Sequence, residues 1–375
     1  MEPDHSAGDE QPQHALTVAD FEFDLPEHLI AQEPIEPRDH ARLLIVHRDS
    51  GRTEHVRFYD LPAILNAGDA LVVNETRVIP ARLLGTKRSG GGRVEILLIR
   101  PLVGAGDGVE ANERIWTAMV RPSRRVASGS IVEVDAPGAP RVVVGQQYTD
   151  DTRLVTLPPG FSLQDVGQVP LPPYIRREIP DLDRYQTIYA SKPGSIAAPT
   201  AGLHFTPALM SRLEERGIRL ARLTLDVGPG TFRPVKVDDP KDHVMGLERY
   251  ELPEEAAQAI SQTRADGGRI IAVGSTSVRA LESIAINQGL PVARDGIPEE
   301  SAAIAAETGE TDLLILPGFP FRMIDGMITN FHLPRSTLLM LVSAFADKSL
   351  MDRVYREAIE MEYRFYSFGD AMCVI

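Results

Sequence analysis

The sequence predicts the α/β fold class, with an α/β main domain that is interrupted by an inserted small antiparallel β-barrel domain. The main domain is predicted from two segments, 18–76 and 158–375, which contain strand patterns and, from about residue 185, alternating strands and helices. The barrel is predicted between them, at 77–157, where short apolar runs are separated by Gly, Pro, Asp and Ser. Residues 1–17 are predicted to be a disordered acidic tail.

Each element follows from a local pattern of apolar and turn-forming residues. In the main domain, strands are predicted at LLIVHR, ALVVNET, IRLARLTLDVG, RIIAVG and DLLILPG. Helices are predicted at PALMSRLEERG, PEEAAQAISQTRADGG, STSVRALESIAI, STLLMLVSAFA and MDRVYREAIEMEYRF. In the barrel, the strand-like runs are RVEILLIR, RIWTAMV, SIVEV, RVVVG and RLVTL. The stretch VPLPPYIRR then predicts a stiff, irregular linker, because proline lacks the amide hydrogen that regular structure uses.

Composition places the chain among ordinary globular proteins, with 375 residues of which 43% are hydrophobic and 25% are charged. A single cysteine, Cys373, excludes a disulfide framework and a multi-cysteine metal site, and it fits a reducing cytosol. The best apolar run, Leu338 to Ala346, is far shorter than the roughly 18 residues of a membrane span. We therefore expect a cytoplasmic protein without a membrane segment.

The net charge of −14 is unevenly distributed. Residues 1–36 hold ten Asp and Glu and no Lys or Arg, so removing them leaves −4 for the remaining 339 residues. The segment 82–125 holds nine basic and four acidic residues, a net charge of +5. This segment is either a solvated basic face or a surface that faces phosphate. The acidic segment is expected to be partly disordered and need not lie near a site.

Three hydroxyl residues, Ser275, Thr276 and Ser277, stand between a buried strand and a helix in IIAVGSTSVRALES. Hydroxyls and unpaired N–H groups at the beginning of a helix bind anions, and Arg279 follows within the first turn. The pattern indicates either a carboxylate or phosphate site or a capped helix with a surface arginine. It is not a P-loop, because GxxxxGK[ST] is absent.

Two further segments combine small residues with polar ones. In SKPGSIAAPTAGLHFT, small residues around Thr200 would let the backbone approach a ligand, and His204 is either a proton-exchanging group or a structural histidine. In DVGPGTFRPV, Gly228, Gly230 and Thr231 follow a strand, as either a simple turn or a binding loop. Both segments are candidates for a ligand site.

Two segments place polar side chains at irregular positions. In MITNFHLPRS, Asn330 and His332 flank an aromatic residue, which suits either a purine pocket or a buried hydrogen-bonding cluster. In LVVNETRVIPARL, a strand brings Asn74, Thr76 and Arg77 to the start of the inserted domain, as either a hinge or a ligand contact. No pair of histidines or carboxylates has the spacing of a helix-borne metal site, so no metal is predicted.

The segments as a set closely resemble the S-adenosylmethionine:tRNA ribosyltransferase-isomerase family of queuosine biosynthesis. In chain order they are VVNETRVIPARL, VPLPPYIRR, YQTIYASKPGSIAAPTAGLHF, VGPGTFRPV, IAVGSTSVRALES, PGFPFRMIDGMITNFHLPRSTLLMLVSAFA and YRFYSFGDAM. The resemblance, over about residues 18–375, implies a monomer that transfers the ribosyl moiety of S-adenosylmethionine, a co-substrate, to 7-aminomethyl-7-deazaguanine at the tRNA wobble position. The implied product is epoxyqueuosine, with adenine and methionine released and no cofactor needed.

The implied reaction assigns roles to these residues. A sulfonium acidifies the adjacent C5′ protons, so a base is needed, for which His204 or His332 is predicted. Asn330 or a neighbouring backbone group would stabilise the departing adenine, and Arg279 would clamp a carboxylate or phosphate. The other predicted substrate-binding residues are Asn74, Thr76, Arg77, Thr200, Gly228, Gly230, Thr231, Glu248, Ser275, Thr276 and Ser277. The predicted tRNA-binding residues are Arg121, Arg124, Arg125, Arg176 and Arg177.

The sequence departs from the family pattern at four positions. Asp226 stands where the family usually has histidine, Gly246 and Leu247 replace the His and Ser of HxMHSE, and Glu75 makes NETR of NNTR. These changes are either neutral or they alter the acceptor or the rate. Two alternative functions therefore remain: the same donor chemistry on a free deazapurine or small amine, and a catalytically silent RNA-binding or structural paralogue.

Overall fold

The computed structural model of the chain describes residues 16–102, 114–149, 151–177, 179, 181–232, 235–292 and 303–375. Its strands are β1 Arg42–Val46, β2 Thr53–Arg57, β3 Ala70–Asn74, β4 Thr76–Val78, β5 Arg82–Lys87, β6 Arg93–Pro101, β7 Ile115–Arg121, β8 Ser130–Val134, β9 Arg141–Gln147, β10 Arg153–Thr156, β11 Lys192–Ser195, β12 Arg219–Leu225, β13 Glu248–Leu252, β14 Ile270–Val273, β15 Glu307–Thr311, β16 Gly326–Asn330 and β17 Ala371–Val374. Its α-helices are α1 Leu61–Ile64, α2 Leu163–Val166, α3 Pro207–Glu215, α4 Glu254–Ala265, α5 Gly274–Asn287, α6 Thr337–Ala346 and α7 Lys348–Glu360. Of the predicted tail, 1–17, only Leu16 and Thr17 lie within the described residues.

A mixed sheet of nine strands forms the main domain, in the order β15-β13-β12-β3-β14-β16-β17-β1-β2. Its centre, β12-β3-β14-β16, is parallel throughout. Antiparallel pairs extend the sheet on both sides, through β13 and β15 on one side and through β17 and β2 on the other. The strands β3, β14 and β16 are fully buried, as expected for strands that are covered on both faces.

Side chains on β3 alternate between two hydrophobic cores, one on each face of the sheet. Val72 packs into a core that also contains apolar residues of α4, α5, α6 and α7. Leu71 and Val73 point the opposite way and pack with residues of α1 and α3. Helices on both faces of a partly parallel sheet confirm the predicted α/β class.

The inserted part is a closed antiparallel barrel of six strands, in the order β10-β7-β6-β5-β8-β9. Alternate side chains, among them Leu83, Ile96, Val142 and Val155, fill its interior. The prediction of a small antiparallel barrel is confirmed. The first strand, β5, was not among the five runs expected from sequence, because Gly85 and polar residues interrupt its short apolar pattern.

The strand predicted at DLLILPG is wrong. Strand β15 ends at Thr311, and residues 312–316 are irregular. Side chains occupy the backbone groups that a strand would use, because the Leu313 N–H donates to Thr311 Oγ1 (3.1 Å) and the Leu313 carbonyl accepts from Arg279 Nε (2.9 Å). By contrast, the linker VPLPPYIRR is irregular as predicted.

Candidate active site

Four parallel strands of the main sheet end at the same edge. They end at Asn74 in β3, Leu225 in β12, Val273 in β14 and Asn330 in β16. Ligands of α/β sheets bind outside the carboxyl ends of parallel strands, because the loops and helix beginnings that follow them converge there. Most of the predicted site residues directly follow one of these strands, and the fold therefore brings them together.

A cleft opens at this edge, and we call it the strand-edge cleft. It contains about 810 Å³ of space that is free of protein atoms, part of it open to solvent. Five of the predicted site residues line it: Thr200, Ser275, Thr276, Asn330 and His332. The other lining residues include Tyr174, Ala198, Pro199, Val227, Gly274, Thr329, Leu338, Tyr366 and Ser367.

His332 lies on the wall of the strand-edge cleft. Its Nε2 is 2.8 Å from Thr329 Oγ1, and its backbone N–H donates to the Tyr355 hydroxyl (2.9 Å). The other ring nitrogen, Nδ1, has no hydrogen-bond partner among the described residues. If Nε2 carries the proton and donates it to Thr329, Nδ1 is left as an unprotonated base beside the cleft.

His204 lies one layer behind the cleft wall. Its Nε2 is 3.2 Å from Asn330 Nδ2, and Asn330 Oδ1 accepts from Thr200 Oγ1 (2.9 Å). The ring also packs against Phe58, with centroids 5.0 Å apart. Because an amide N–H can only donate, His204 Nε2 acts as the acceptor and fixes the orientation of the Asn330 amide.

Burial keeps both histidines neutral at physiological pH. It lowers the pKa of His332 from 6.5 to about 3 and that of His204 to about 4, because an imidazolium ion loses its hydration in the interior. Asp370 opposes the shift at His204 and Arg364 adds to it, and both effects are smaller than that of burial. Each ring can therefore accept a hydrogen bond or a proton without first losing one.

Arg279 is buried and belongs to a chain of polar contacts behind the start of α5. Its Nη1 forms an ion pair with Glu248 Oε2, and its Nε donates to the Leu313 carbonyl (2.9 Å). The second oxygen of Glu248 accepts from the Gly228 N–H (2.8 Å). The arrangement fixes Arg279 and ties it to the loop that follows β12. Arg279 is therefore buried and paired, unlike the surface arginine of a simply capped helix, which was the alternative interpretation of this segment.

The three hydroxyls at the start of α5 face different environments. Ser275 and Thr276 line the strand-edge cleft. Ser277 donates instead to the Val273 carbonyl of its own strand-helix junction (2.8 Å). Gly274, which begins the helix, has a φ of +84°, a conformation that favours glycine and that lets the chain turn directly from strand into helix.

Asn74 and Thr76 lie beside the cleft lining, in a network of backbone and side-chain hydrogen bonds. The Asn74 amide donates to the Leu225 carbonyl (2.9 Å) and accepts from the Leu225 N–H (3.0 Å). The Thr76 hydroxyl contacts Ser195 Oγ (2.8 Å) and Asp226 Oδ1 (3.1 Å). Neither residue lines a described cleft. The network joins the ends of β3 and β12 and sets the position of the loop after β12.

Three more predicted substrate-binding residues lie in exposed or loop positions. Arg77 is partly exposed, 3.7 Å from Asp183. Gly230 belongs to a one-turn 3-10 helix, Pro229–Phe232, after β12. The same turn contains Thr231, whose side chain lies outside the described part of the structure.

A second cleft lies between the barrel and the main domain, and we call it the barrel-side cleft. Arg121, Arg176, Arg177 and Gly228 line it, together with Arg82, Glu95, Pro172, Ile175, Ala197 and others. The two clefts adjoin, because neighbouring residues such as Val227 and Gly228 line one cleft each. Basic side chains from both domains therefore border the approach to the strand-edge cleft.

The remaining predicted RNA-binding residues lie on the barrel surface. Arg124 and Arg125 are exposed in a one-turn 3-10 helix, Ser123–Arg125, directly after β7. Arg121 ends that strand, so one short segment carries three exposed arginines. Their exposure is compatible with both interpretations, a solvated basic face and a surface that faces phosphate.

The acidic N-terminal segment is closer to the site than the sequence suggested. Glu27 forms an ion pair with Arg176 (2.7 Å), and Glu33 forms one with Arg177 (2.6 Å). All four side chains are mostly exposed. The described part of the acidic segment therefore lies beside two arginines of the barrel-side cleft that were predicted to bind tRNA.

Two aromatic residues of the strand-edge cleft were missed by the sequence analysis. Tyr174 and Tyr366 pack with ring centroids 4.7 Å apart, and the Tyr174 hydroxyl is 2.6 Å from Ser367 Oγ. Both tyrosines lie in segments that were noticed for other reasons, VPLPPYIRR and YRFYSFGDAM. The available signal was the aromatic content, one tyrosine among the prolines of the first segment and four aromatic residues in the second.

The described part of the chain lacks two classes of feature. Its residues contain no group of three or more His, Cys, Asp or Glu side chains that could hold a metal ion. No helix within the same part is long and apolar enough to cross a membrane.

Comparisons with known proteins agree over nearly the whole chain. A family model described as queuosine biosynthesis protein matches residues 18–374. The S-adenosylmethionine:tRNA ribosyltransferase-isomerase of Symbiobacterium thermophilum is 46% identical over 96% of this chain and 100% of its own, and that of Gloeobacter violaceus is 48% identical over 95% of each. The crystal structure of S-adenosylmethionine tRNA ribosyltransferase from Thermotoga maritima aligns with a TM-score of 0.51 and 37% identity, covering 95% of this chain and 100% of that one. The chain belongs to the queuosine biosynthesis protein family.

Proposed function

We propose that this protein transfers and isomerises the ribosyl moiety of S-adenosylmethionine onto 7-aminomethyl-7-deazaguanine at the tRNA wobble position. The products are epoxyqueuosine in tRNA, adenine and methionine. The observation that carries the proposal is the junction of two unlike clefts. One is the smaller of the two and is lined by His332 and Asn330, and the other is bordered by arginines. A small-molecule donor suits the first, and an RNA backbone suits the second.

The reaction begins with removal of a proton from C5′ of the donor, next to the sulfonium. We assign this step to His332, because its Nδ1 is beside the cleft and its ring is neutral. The electron pair left on C5′ forms a C4′–C5′ double bond, the C4′–O4′ bond breaks, and a C1′–O4′ carbonyl forms as adenine leaves C1′. The aminomethyl nitrogen of the base then bonds to the sugar, and departure of methionine closes the epoxide.

Asn330 is positioned to assist the departure of adenine. One N–H of its amide donates to His204, which leaves the second N–H for a ring nitrogen of adenine in the cleft. His204 is thus assigned as a positioning residue, acting through Asn330 without touching the donor. The neighbouring tyrosines, Tyr174 and Tyr366, supply aromatic surface for a purine.

The positions that depart from the family pattern leave the lining of the strand-edge cleft intact. Asp226 hydrogen-bonds to Thr76 and lines neither cleft. Leu247 is half exposed, and Gly246 has no side chain to contribute. This placement supports the tRNA-modifying function over the alternative small-amine acceptor and over a silent RNA-binding paralogue. A cytoplasmic location, a monomeric state and independence from any cofactor belong to the same proposal.

Adenine release from S-adenosylmethionine distinguishes these three functions. The assay compares tRNA that carries 7-aminomethyl-7-deazaguanine, the same tRNA with guanine at the wobble position, and free 7-aminomethyl-7-deazaguanine. We expect release only with the first. Release with the free base would support the small-molecule acceptor, and no release with any acceptor, together with intact tRNA binding, would support the silent paralogue.

A further inference from the structure

Two buried polar groups at the beginning of α5 have no hydrogen-bond partner among the described residues. They are Thr276 Oγ1 and Arg279 Nη2, and their residues are only 5% and 4% exposed. A buried donor without an acceptor is unfavourable, so native proteins rarely keep one unless a ligand or water pairs with it. Both groups lie within one helical turn of each other, which makes a single shared ligand the simplest explanation.

The start of α5 adds backbone donors to these two groups. The helix has 14 residues, and no side chain caps its first turn, because Ser277 bonds back to the Val273 carbonyl. The first N–H groups of a helix lack partners within the helix, and its dipole makes that end positive. An acceptor with negative charge would satisfy the Thr276 hydroxyl, Arg279 Nη2 and these N–H groups together.

This group of donors is connected to the strand-edge cleft. Thr276 lines that cleft and also a narrow recess behind it, and the recess is lined by Arg279. Its other walls are mostly apolar, formed by Met245, Leu313, Ile315, Leu338 and Leu341. The recess has room for little more than one water-sized group, so only the tip of a ligand, such as an oxygen of a terminal carboxylate, can enter it from the strand-edge cleft, whereas a phosphodiester flanked by two sugars cannot.

The charges around the recess favour an amino acid over a simple anion. Arg279 is already paired with Glu248 through Nη1, so the pair is nearly neutral as a whole. A ligand that brings a carboxylate to Arg279 Nη2 and Thr276 would therefore keep the site near neutral if it also carries a positive charge in the adjoining strand-edge cleft. An α-amino acid has this combination of charges.

We infer that the recess at the start of α5 holds the methionine carboxylate of S-adenosylmethionine, bound by Thr276 and Arg279 Nη2. This inference rests on the proposed function, in which that molecule is the donor. It also orients the donor: the amino acid lies at α5, and the adenosine lies toward Asn330 and His332. C5′, the carbon next to the sulfonium that loses its proton, then lies between the amino acid and the adenine, on the side of His332.

The test is adenine release with two donors, S-adenosylmethionine and its decarboxylated form, which lacks only the carboxylate. The variants are Thr276→Val, which removes the hydroxyl, and Thr276→Ser, which keeps it. Thr263→Val is the matched control, because this buried threonine of α4 loses the same hydroxyl but pairs with Arg219 (3.2 Å) and lines neither the two clefts nor the recess. The readout is the ratio of kcat/KM for the two donors, which cancels any general loss of folded enzyme.

We expect the wild-type enzyme to prefer the donor with the carboxylate by at least about tenfold. Thr276→Val should reduce that preference by about tenfold, while Thr276→Ser and Thr263→Val should retain it. An unchanged preference in Thr276→Val, with an active wild-type enzyme, would overturn the inference and leave the proposed function intact. No adenine release from either donor by the wild-type enzyme with its tRNA would overturn both.

Discussion

At the scale of single residues, burial sets the protonation of the two histidines and links them to stability. Their pKa values of about 3 for His332 and about 4 for His204 lie well below 6.5, the value of an unfolded histidine. At pH values between the folded and the unfolded pKa of each ring, the unfolded chain binds protons that the folded chain does not bind. The folded state therefore loses stability as the pH falls through this window.

This linkage gives the first prediction. His204→Gln and His332→Gln should each flatten the loss of stability below about pH 6.5, by up to about 1.4 kcal/mol per pH unit for each histidine removed. Urea unfolding at a series of pH values measures the slope. Equal slopes in the wild type and both variants would show that the rings titrate normally in the folded protein.

Asp226 provides the second prediction. Burial raises the pKa of its carboxyl group, so the ionised form that prevails at neutral pH costs stability, and this cost grows as the pH rises through the folded pKa. Asp226→Asn keeps the shape and a hydrogen-bonding oxygen for Thr76 but removes the charge. We expect a higher Tm at pH 7 and adenine release within about threefold of wild type. A loss of release beyond about tenfold would instead assign this position to the reaction.

Single residues also show which features of the candidate site could be predicted from the sequence. His204 and His332 could both be named from their local segments, but the pattern could not rank them. The distinction depends on contacts with Asn330 and Thr329, of which the first joins residues 126 positions apart in the chain. Similarly, Ser277 is one of three hydroxyl residues in a row. Only the structure shows that its hydroxyl donates to the Val273 carbonyl.

At the scale of elements, the 3-10 helix Ser123–Arg125 and the end of β7 carry the basic barrel surface. Replacing Arg121, Arg124 and Arg125 with glutamine should weaken tRNA binding, because fewer counterions are released from the RNA. We expect the slope of log K against log salt to shrink by about two to three. Titrations at several salt concentrations measure the slope.

The matched control for this prediction is a pair of barrel arginines in ion pairs elsewhere. Arg93 pairs with Asp135, and Arg141 pairs with Glu133. Arg93→Gln with Arg141→Gln should leave the salt slope close to wild type. An unchanged slope in the triple variant would remove the β7 end of the barrel from the RNA-binding surface.

The acidic segment before β1 gives the fourth prediction. Glu27 and Glu33 pair with Arg176 and Arg177 at the barrel-side cleft, where they compete with phosphate. Glu27→Gln with Glu33→Gln should tighten tRNA binding at low salt by roughly two- to tenfold, and the gain should vanish at high salt as the pairs are screened. Glu54→Gln, which removes the partner of Arg52 on the sheet, is the control. Unchanged or weaker binding would contradict the competition.

Elements also show where pattern reading fails. The polar segment ETGET forms β15, while the apolar DLLILPG next to it is irregular. Apolar residues there pack against the helices, but their backbone groups are taken by Thr311 and Arg279, which no local pattern records. The short buried strands β3 and β14 were predictable because their apolar runs are continuous.

At the scale of the whole molecule, the fold class followed from the change in the pattern of apolar and turn-forming residues along the chain. Short runs with frequent turns indicated the barrel, and alternating strands and helices indicated the α/β domain. The strand order did not follow, because pairing β12 with β3 and β14 with β16 depends on contacts far apart in sequence. The division at 18–76, 77–157 and 158–375 stays a prediction. The barrel strands themselves run from Arg82 to Thr156.

The junction of the two clefts is the feature that unites these scales, since it brings the proposed RNA surface to the edge of the proposed donor pocket. The most direct test of the strand-edge cleft as the reaction site is single-turnover adenine release by His332→Gln, with S-adenosylmethionine and tRNA carrying 7-aminomethyl-7-deazaguanine. We predict a loss of at least about 100-fold, with donor affinity within about threefold of wild type. Release at the wild-type rate would contradict the assignment of the chemistry to this cleft wall.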